Sequence, residues 1–332
     1  MEILFEVKNS TGVITLNRPK ALNALNLNMA IQFSDKLKEW EYDNTIERVL
    51  LLGEGKHFCA GGDVKSVHLS GPFSKLKREF FSAEYRLNLQ IKNFSKPYLS
   101  IWQGVVMGGG VGLSIYGDYR IVTDSTKFAM PETSIGFFPD VGGSFFLSKI
   151  DNNLGMYLGL TGELLQSKDL LNFNLATHYC PENKIDNLIN QFIVDGSINN
   201  YEIENSSFFT TEKFDFINNN FSGNIHEIFN NIQTLNNKFD IFNKLQHKCP
   251  MSLAVTALLI KNSSNKSLKD CLEMEYRLSQ KMTNRPDFGE GIQAVLIEKH
   301  HNPKWIPSSI NEINNNELDK LFTEPIDNEL KL

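Results

Sequence analysis

The amino-acid sequence predicts an α/β protein, because segments with strand character alternate with segments of helical spacing along its first half. The chain has 332 residues, of which 41% are hydrophobic and 22% are charged. That composition is ordinary for a globular protein. The length is sufficient to bury a full core, in one large domain or two small ones.

The chain begins with two predicted strands. Residues 2–7 and 11–16 have strand character, and Asn9, Ser10 and Gly12 supply turn chemistry between them. The pattern therefore predicts two strands joined by a tight turn.

The next predicted element is a helix at residues 28–42, where Met29, Phe33, Leu37 and Trp40 recur at helical spacing. The same criteria predict, further along the chain, a strand at 49–52, a helix at 73–93 and a strand at 98–106.

The second half of the chain has a less regular pattern. Residues 185–245 are rich in Asn and Phe and carry no chemical motif, so their Asn runs are either loops or a reflection of genomic composition. The spacing is helical again at 253–260 and at 267–283. Residues 311–332 are polar and predict an extended or loosely docked tail.

Charge and cysteine content argue against several classes of function. The net charge of -6 disfavours nucleic acid as the main partner, because phosphate binding requires a basic face. No apolar run reaches the roughly 20 residues of a membrane span, so no membrane partner is expected. The cysteines lack metal-ligand spacing, which predicts reduced, buried thiols and no bound metal. They are Cys59, Cys180, Cys249 and Cys271.

The N-terminal residues show no basic region followed by an apolar stretch, so no signal peptide is expected. The sequence therefore predicts a cytoplasmic protein, or one of the mitochondrial matrix if a transit peptide has been removed.

Two glycine-rich segments each follow a predicted strand. They are residues 57–63 (HFCAGGD) and residues 107–113 (MGGGVGL). A strand, a glycine turn and a helix in this order can direct backbone N–H groups at an anion. If both loops converge on one oxygen they form an oxyanion hole, and otherwise their glycines only permit tight turns and close packing. His57 at the first loop is interpreted as structural.

Glu132 and Asp140 lie in an otherwise apolar or small stretch, residues 130–143 (MPETSIGFFPDVGG). Burial of a carboxyl group raises its pKa, which suits a general acid or base. The prolines of this stretch fix the backbone and favour rigid placement. The alternative is that both acids cap a helix or a turn.

Taken together, these segments resemble the crotonase (enoyl-CoA hydratase/isomerase) superfamily. The resemblance covers residues 3–180 and includes the NRP and ALNAL stretches at 17–25, both glycine loops and the PET…FPDVGG stretch. It implies an α/β fold built as a crotonase-type spiral of ββα units with a C-terminal helical region. It also implies an acyl-CoA substrate and no cofactor, because the CoA is part of the substrate.

This resemblance divides the chain into consecutive segments. Residues 1–185 are expected to form the crotonase spiral core with the acyl-CoA site. Residues 186–250 are a variable Asn-rich segment, and residues 251–332 a C-terminal helical region and tail. The oligomeric state is left open, with a homo-oligomer among the alternatives.

Further stretches resemble one group within the superfamily. Hydratases use two glutamates, but only Glu132 has a counterpart here, since Gly112 stands at the position of the first glutamate. The chain instead resembles 3-hydroxyisobutyryl-CoA hydrolases. The stretches concerned are MGGGVGLS (107–114), FAMPETSIGFFPDVGG (128–143), MEYRLSQ (274–280) and DFGEGIQAVLIEKHHNPKW (287–305).

The resemblance to these hydrolases implies hydrolysis of a short-chain acyl-CoA thioester in valine catabolism. It places the amides of Gly62 and Gly109 on the thioester oxygen and makes Glu132 either the nucleophile or the general base. Asp140 would orient the 3-hydroxyl group or assist proton transfer. The substrate-binding residues implied by the same motifs are Glu84, Gly61, Gly108 and Gly110.

Two other functions stay open. One is a hydratase or isomerase of the same superfamily that uses Glu132 alone. The other is a non-catalytic acyl-CoA-binding protein on this fold, for which loss of the acids or glycines would be the expected signature. Because both acids and both glycine loops are present, the sequence does not show that signature.

Overall fold

A computed structural model describes residues 1–71, 74–204, 207–235 and 238–332 of the chain. The chain divides into two compact units, each assembled from separate stretches of sequence. The strand unit comprises Met1–Asp63, Arg86–Ala129 and Leu164–Phe208, and the helical unit comprises Val64–Tyr85, Met130–Glu163 and Phe209–Leu332. The sequence-based segments are consecutive whereas these units alternate along the chain, and the roles of those segments stay a prediction.

The described strands belong to two sheets. They are β1 (Ile3–Lys8), β2 (Thr11–Leu16), β3 (Arg48–Gly53), β4 (Tyr98–Trp102), β5 (Val105–Met107), β6 (Tyr119–Val122), β7 (Lys127–Ala129) and β8 (His178–Tyr179). One sheet has the order β1-β2-β3-β4-β6-β8, and the other pairs β5 with β7. β1 pairs with β2 antiparallel, and the remaining neighbours pair in parallel.

Helices form most of the remaining regular structure. They are α1 (Leu27–Tyr42), α2 (Val64–Leu69), α3 (Leu76–Asn93), α4 (Gly109–Gly112), α5 (Gly143–Leu147), α6 (Leu154–Thr161), α7 (Ser167–Asn172), α8 (Ile185–Asp195), α9 (Thr211–Asn220), α10 (Ile225–Gln233), α11 (Ile241–Gln246), α12 (Pro250–Ser263), α13 (Leu268–Met282), α14 (Pro286–Gly291) and α15 (Asn315–Thr323).

The core of the strand unit forms where neighbouring parallel strands place apolar side chains in register. Val13 of β2 lies opposite Leu50 of β3, and Leu50 lies opposite Leu99 of β4. Leu188 and Phe192 of α8 join the same buried cluster. Burial of one such side chain contributes about 1.5–3 kcal/mol, so this cluster stabilises β3, which precedes the first glycine loop, and its neighbours β2 and β4.

The early elements confirm the sequence-based predictions. The strands predicted at 2–7, 11–16 and 49–52 and the helix predicted at 28–42 are β1, β2, β3 and α1. The helix predicted at 73–93 is α3, which begins at Leu76, and position 73 lies outside the described residues.

The single strand predicted at 98–106 is wrong, because Gly104 divides it into β4 and β5, which belong to different sheets. Gly104 has a φ of +58°, and a Cβ atom there would lie 2.2 Å from Lys56 O. Only glycine adopts this conformation freely at such a close approach. The break allows β5 to lead into the second glycine loop.

The Asn-rich segment is mostly helical within its described part. The Asn runs at 218–220 and 230–231 lie in α9 and α10, so the loop interpretation is wrong for them, whereas it is confirmed for Asn199 and Asn200, which follow α8. The run at 236–237 lies outside the described residues. α10 shows why the segment is helical: Asn224 caps its N-terminus, and Ile225, Ile228 and Ile232 form a buried stripe at helical spacing. The Asn residues occupy the other faces of a helix whose apolar residues determine its structure.

The C-terminal tail is docked, which corrects the prediction of an extended or loose segment. It contains α15, and both Leu321 and Leu330 are buried. Arg277 of α13 donates to Glu329 Oε1 at 2.7 Å, and Glu273 accepts a hydrogen bond from Leu332 N–H at 2.9 Å. Buried apolar residues and polar contacts with α13 together hold the tail within the helical unit.

Candidate active site

The two glycine-rich loops lie side by side in the strand unit. Cys59 N–H donates to Val105 O at 3.0 Å, and Met107 N–H donates to Cys59 O at 3.0 Å. Gly61 has a φ of +121°, and a Cβ atom there would lie 3.4 Å from Met107 O and 3.6 Å from Gly109 N. The structure therefore places the two loops next to each other.

Gly62 and Gly109 each carry a backbone N–H that secondary structure leaves available. The bridge between Leu25 and Gly62 is made by Leu25 N–H with Gly61 O at 2.9 Å and by Asp63 N–H with Leu25 O at 2.7 Å. Successive amides of an extended chain point to opposite sides, so Gly62 N–H is directed away from Leu25. Gly109 begins α4, where an N–H has no acceptor within the helix. The oxyanion role of both amides stays a prediction.

The remaining residues of these loops have visible structural roles. A Cβ atom at Gly110 would lie 2.5 Å from Cys59 O, so this glycine permits close packing. Gly108 has a φ of +46° and precedes α4. His57 Nδ1 accepts a hydrogen bond from Val105 N–H at 3.2 Å, which supports the structural interpretation of this histidine. The substrate contacts expected of Gly61, Gly108 and Gly110 stay predictions.

The acids selected from the sequence are clustered in the helical unit. Glu84, Glu132 and Asp140 are 1%, 6% and 5% exposed. Burial raises the pKa of Glu84 and of Glu132 well above the usual range, and repulsion from Asp140 raises both further. Three carboxyl groups that repel one another in a desolvated region are typical of a functional site rather than of caps.

Glu132 is held in a turn whose shape depends on glycine. It begins the 3-10 turn Glu132–Ile135, which follows Pro131 and ends at Gly136 with a φ of +71°. A Cβ atom at Gly136 would lie 2.3 Å from Asp287 O, so the start of α14 packs directly on this turn. This contact gives a physical reason for the joint presence of the PET and DFGEG stretches.

Asp140 lies immediately before a strained turn. Val141 and Gly142 have φ values of +54° and +78°, and a β-branched residue at positive φ is rare. Tyr85 Oη donates to Asp140 Oδ2 at 2.7 Å. Burial raises the pKa of Asp140 to about 7, although the hydrogen bond from Tyr85 lowers it. Asp140 can therefore gain or lose a proton near neutral pH.

Two buried oxygens of this cluster, Glu84 Oε1 and Glu132 Oε2, have no hydrogen-bond partner in the part of the chain that the structure describes. A buried oxygen without a partner is costly in a folded protein. Its retention is typical of a group that contacts a ligand or a reacting atom.

Lys248 is a neighbour of Glu132 that sequence reasoning did not select. Its Nζ donates to Ser134 Oγ at 2.6 Å, in the same turn as Glu132. Burial lowers the pKa of Lys248 to about 8, and its charge acts to lower the pKa of Glu132. A lone lysine in a polar stretch gave no signal that would have identified this contact.

Glu275 also escaped sequence reasoning, although it lies in the MEYRLSQ stretch. It is fully buried on the apolar face of α13, in line with Leu268, Cys271, Leu272 and Leu278. Burial, with a smaller contribution from the charge of Asp140, raises its pKa to about 8, although the hydrogen bonds from Ser144 and Gly142 act to lower it. The missed signal was an acid at a position of the helical repeat that predicts a core residue.

The buried state of Glu84 gives a testable pH dependence of stability. The pKa of Glu84 is raised in the folded protein, so the folded state retains this proton to higher pH than the unfolded state does. The contribution of Glu84 to the free energy of unfolding is therefore complete below its unfolded pKa and is lost as the pH rises through its folded pKa. Glu84→Gln has no such proton to lose. We expect the Tm difference, variant minus wild type, to become more positive between pH 5 and pH 8, by roughly 2–4 °C per pH unit at most.

The matched control is Glu79→Gln, which changes an exposed glutamate on the same helix. Thermal unfolding of wild type and both variants at several pH values provides the measurement. A Tm difference for Glu84→Gln that is constant from pH 5 to pH 8, like that of the control, would contradict the buried, proton-retaining state of Glu84.

No group of three or more His, Cys, Asp or Glu residues that could hold a metal ion is found among the described residues. Within the same ranges, no helix has both the length and the apolar character needed to cross a membrane.

Parallel strands, converging glycine loops and buried carboxyl groups are the features expected of the crotonase class of α/β proteins. The family model described as enoyl-CoA hydratase/isomerase matches residues 11–322. The chain belongs to the enoyl-CoA hydratase/isomerase family.

Curated relatives indicate which group within the family the chain is similar to. The mitochondrial 3-hydroxyisobutyryl-CoA hydrolase of Xenopus laevis is 41% identical over 97% of this chain and 88% of its own length. The human protein of the same name is 40% identical over 99% of this chain and 90% of its own length.

Solved structures show the same fold. The crystal structure of a carnitinyl-CoA dehydratase from Mycobacterium thermoresistibile has a TM-score of 0.92 and 35% identity, and covers 99% of this chain and 98% of its own. An enoyl-CoA hydratase from Rhodobacter sphaeroides has a TM-score of 0.94 and 30% identity, with complete coverage of both chains. The predicted crotonase-type fold is thus confirmed.

Proposed function

We propose that this chain hydrolyses the thioester of 3-hydroxyisobutyryl-CoA, or of a similar short 3-hydroxyacyl-CoA, to the free acid and CoA. Water supplies the new C–O bond, the C–S bond breaks, and the thiolate of CoA takes up a proton. Water and the acyl-CoA are the only reactants, so we propose no further cofactor. The reaction belongs to valine catabolism.

The observation that carries this proposal is a single buried glutamate without a second one at the hydratase position. Glu132 is present with one oxygen unpaired among the described residues, whereas position 112 is a buried glycine. Near-full-length identity of about 40% to curated proteins named 3-hydroxyisobutyryl-CoA hydrolase supports the same reaction. The solved relatives named as a dehydratase and a hydratase support the fold and the use of CoA thioesters.

The amides of Gly62 and Gly109 stabilise the negative charge that develops on the thioester oxygen. Donors that are fixed before the reaction begins need no reorganisation when this charge forms. The bridge at Leu25 fixes the first amide and the start of α4 fixes the second. This arrangement supports the role that the resemblance assigns to them.

Glu132 acts on the thioester carbon either as a nucleophile or by activating water. As a nucleophile it forms an anhydride and expels CoA, and water then cleaves the anhydride. A single turnover in ¹⁸O-labelled water distinguishes the two roles. Label in the Glu132 carboxylate indicates an anhydride, whereas label confined to the acid product favours direct attack by water.

Asp140 recognises the 3-hydroxyl group of the acyl chain. Its Oδ2 accepts a hydrogen bond from Tyr85 Oη at 2.7 Å, so the carboxyl group is oriented before substrate binds. Plain acyl thioesters offer Asp140 no partner, and a site built to bond a hydroxyl group discriminates against ligands that lack it. Hydroxyl recognition would thus select the substrate.

We expect 3-hydroxyisobutyryl-CoA and 3-hydroxypropionyl-CoA to be hydrolysed much faster than isobutyryl-CoA. A hydrogen bond to a charged group contributes about 1.5–3 kcal/mol, or roughly one to two powers of ten in kcat/KM. Asp140→Ala should reduce this preference as well as the rate. The measurement is kcat/KM from free-thiol release on hydroxylated and deoxy substrates with both proteins.

Asp140→Asn provides the matched control, because it keeps an acceptor oxygen but loses the charge, and it should retain part of the preference. An equal fractional loss on all substrates in Asp140→Ala would assign Asp140 to the general chemistry instead. A wild-type enzyme indifferent to the 3-hydroxyl group would contradict the proposed substrate class. Loss of enoyl absorbance without thiol release would favour a hydratase.

The names of the curated relatives include the word mitochondrial. Of the two compartments expected from the sequence, this favours the mitochondrial matrix. Microscopy of the tagged protein in its own organism tests the location, and a purely cytoplasmic signal would contradict it.

A further inference from the structure

Glu275 is an acidic residue in a position that normally holds a core side chain. It is 0% exposed and lies on the buried face of α13. A carboxylate in such surroundings is destabilising unless hydrogen bonds compensate for the lost water. A buried Glu275 therefore requires a specific hydrogen-bond partner.

That partner is the backbone directly after Asp140. Glu275 Oε2 accepts a hydrogen bond from Gly142 N–H at 2.6 Å. Glu275 Oε1 accepts from Ser144 N–H at 3.0 Å and from Ser144 Oγ at 2.6 Å. One carboxylate thus binds two amides and one hydroxyl group within four residues of Asp140.

These hydrogen bonds surround the strained part of the chain. Val141 has a φ of +54° and Gly142 a φ of +78°, and strained backbone persists only where its surroundings hold it in place. Gly143 N–H also donates to Asp140 O at 2.7 Å, which closes the turn from within. The hydrogen bonds to Glu275 stabilise the same turn from outside it.

A second contact of α13 leads to the side chain of Asp140. Tyr276, next to Glu275, packs edge-to-face against Tyr85, with ring centroids 6.4 Å apart. Tyr85 in turn donates its hydroxyl hydrogen to Asp140 Oδ2. Adjacent residues of one helix therefore act on Asp140 through its backbone and through its side chain.

We propose that Glu275 is a positioning residue for Asp140: by binding Gly142 and Ser144 it orients the Asp140 carboxyl group for contact with the 3-hydroxyl group of the substrate. This inference rests on the proposed function of Asp140. Glu275 itself contacts neither substrate nor the reacting atoms, and its effect is on substrate selection.

The main test is the isosteric variant Glu275→Gln. Three donors converge on the carboxylate, and a glutamine would face at least one of them with its own NH₂ group. We expect the ratio of kcat/KM for 3-hydroxyisobutyryl-CoA to that for isobutyryl-CoA to fall by about tenfold, the size of one lost hydrogen bond to a charged group. A merely structural role would lower both rates and leave this ratio unchanged.

The matched control is Glu273→Gln on the same helix. Glu273 accepts a hydrogen bond from Leu332 N–H in the tail. Loss of this hydrogen bond should leave the ratio of kcat/KM values at that of the wild type. Ser144→Ala is the milder variant of the proposed contact, because it removes one donor and keeps both amides. We expect it to lower the ratio by roughly two- to threefold, and it replaces Glu275→Gln if that variant fails to fold.

A double-mutant cycle with Asp140→Ala completes the experiment. If Glu275 acts through Asp140, adding Glu275→Gln to Asp140→Ala should not change the ratio further. An additional, independent drop in the ratio would overturn the inference, as would an unchanged ratio in Glu275→Gln or in folded Ser144→Ala. A wild-type ratio near one would instead refute the proposed function, and the positioning role with it.

Discussion

The Glu132→Gln variant is expected to retain its fold and to lose most thioester hydrolysis. Glutamine has the same shape as a protonated glutamate. Burial already raises the pKa of Glu132 and favours the neutral form, so the amide should not destabilise the turn Glu132–Ile135. The variant can neither attack the thioester nor accept a proton from water. Removal of a general base costs about 10²–10⁴ in rate, and removal of a nucleophile can cost more.

The measurement is kcat from free-thiol release, together with Tm and the affinity for a substrate or product. A suitable control is Glu163→Gln, since Glu163 is a partly buried glutamate of the same unit. Its Oε2 already accepts from Tyr157 at 2.9 Å and from Lys244 at 2.7 Å. We expect that control to change stability and leave hydrolysis intact. Near-wild-type turnover in purified Glu132→Gln would refute its catalytic assignment.

Local sequence patterns predict the elements that are defined by apolar residues close together in the sequence. β1, β2, β3 and α1 form where their apolar residues require them, because strand and helix periodicities differ clearly. The prediction of one strand at 98–106 is wrong because the break at Gly104 depends on the approach of Lys56 O. That contact joins residues far apart in sequence, and an isolated glycine within a strand pattern does not reveal it.

The same distinction separates the predicted and the missed parts of the site. The glycine loops and the acids Glu132 and Asp140 lie in short, unusual stretches that are visible in the sequence. Glu275 is 133 residues from its partner Gly142 and 131 from Ser144. Its role becomes visible only when the fold places α13 beside the turn after Asp140.

Resemblance to a known family supplied the functional predictions that local patterns could not give. Each glycine loop has a purely structural explanation when taken alone, and Gly110 shows that this explanation applies to part of the second loop. The ordered combination of both loops with the PET…FPDVGG stretch predicted the family, which the match over residues 11–322 confirms. The roles of individual amides and carboxyl groups are tested by the variants of Glu132, Asp140 and Glu275 and by one further substitution.

That substitution is Gly109→Pro, which we expect to lower kcat by about 10²–10³, the usual cost of losing one oxyanion donor. Gly109 is the first residue of α4, and proline is well tolerated at the first position of a helix because the N–H there has no helical acceptor. The exchange therefore removes the amide hydrogen at one of the few helical positions that permit it. The measurement is kcat alongside Tm and CoA affinity.

Two neighbouring variants separate the loss of a donor from a change in packing. Gly109→Ala keeps the amide hydrogen, so it should retain far more activity than Gly109→Pro. Gly110→Ala would place a Cβ atom 2.5 Å from Cys59 O, so its main effect should be a lower Tm, because the loop must shift to relieve the overlap. If Gly109→Pro and Gly109→Ala lose activity equally, the added bulk and not the missing hydrogen is responsible. If Gly109→Pro folds, binds CoA and turns over normally, Gly109 does not donate to the thioester oxygen, and the second amide of the oxyanion hole must come from another residue of the loop.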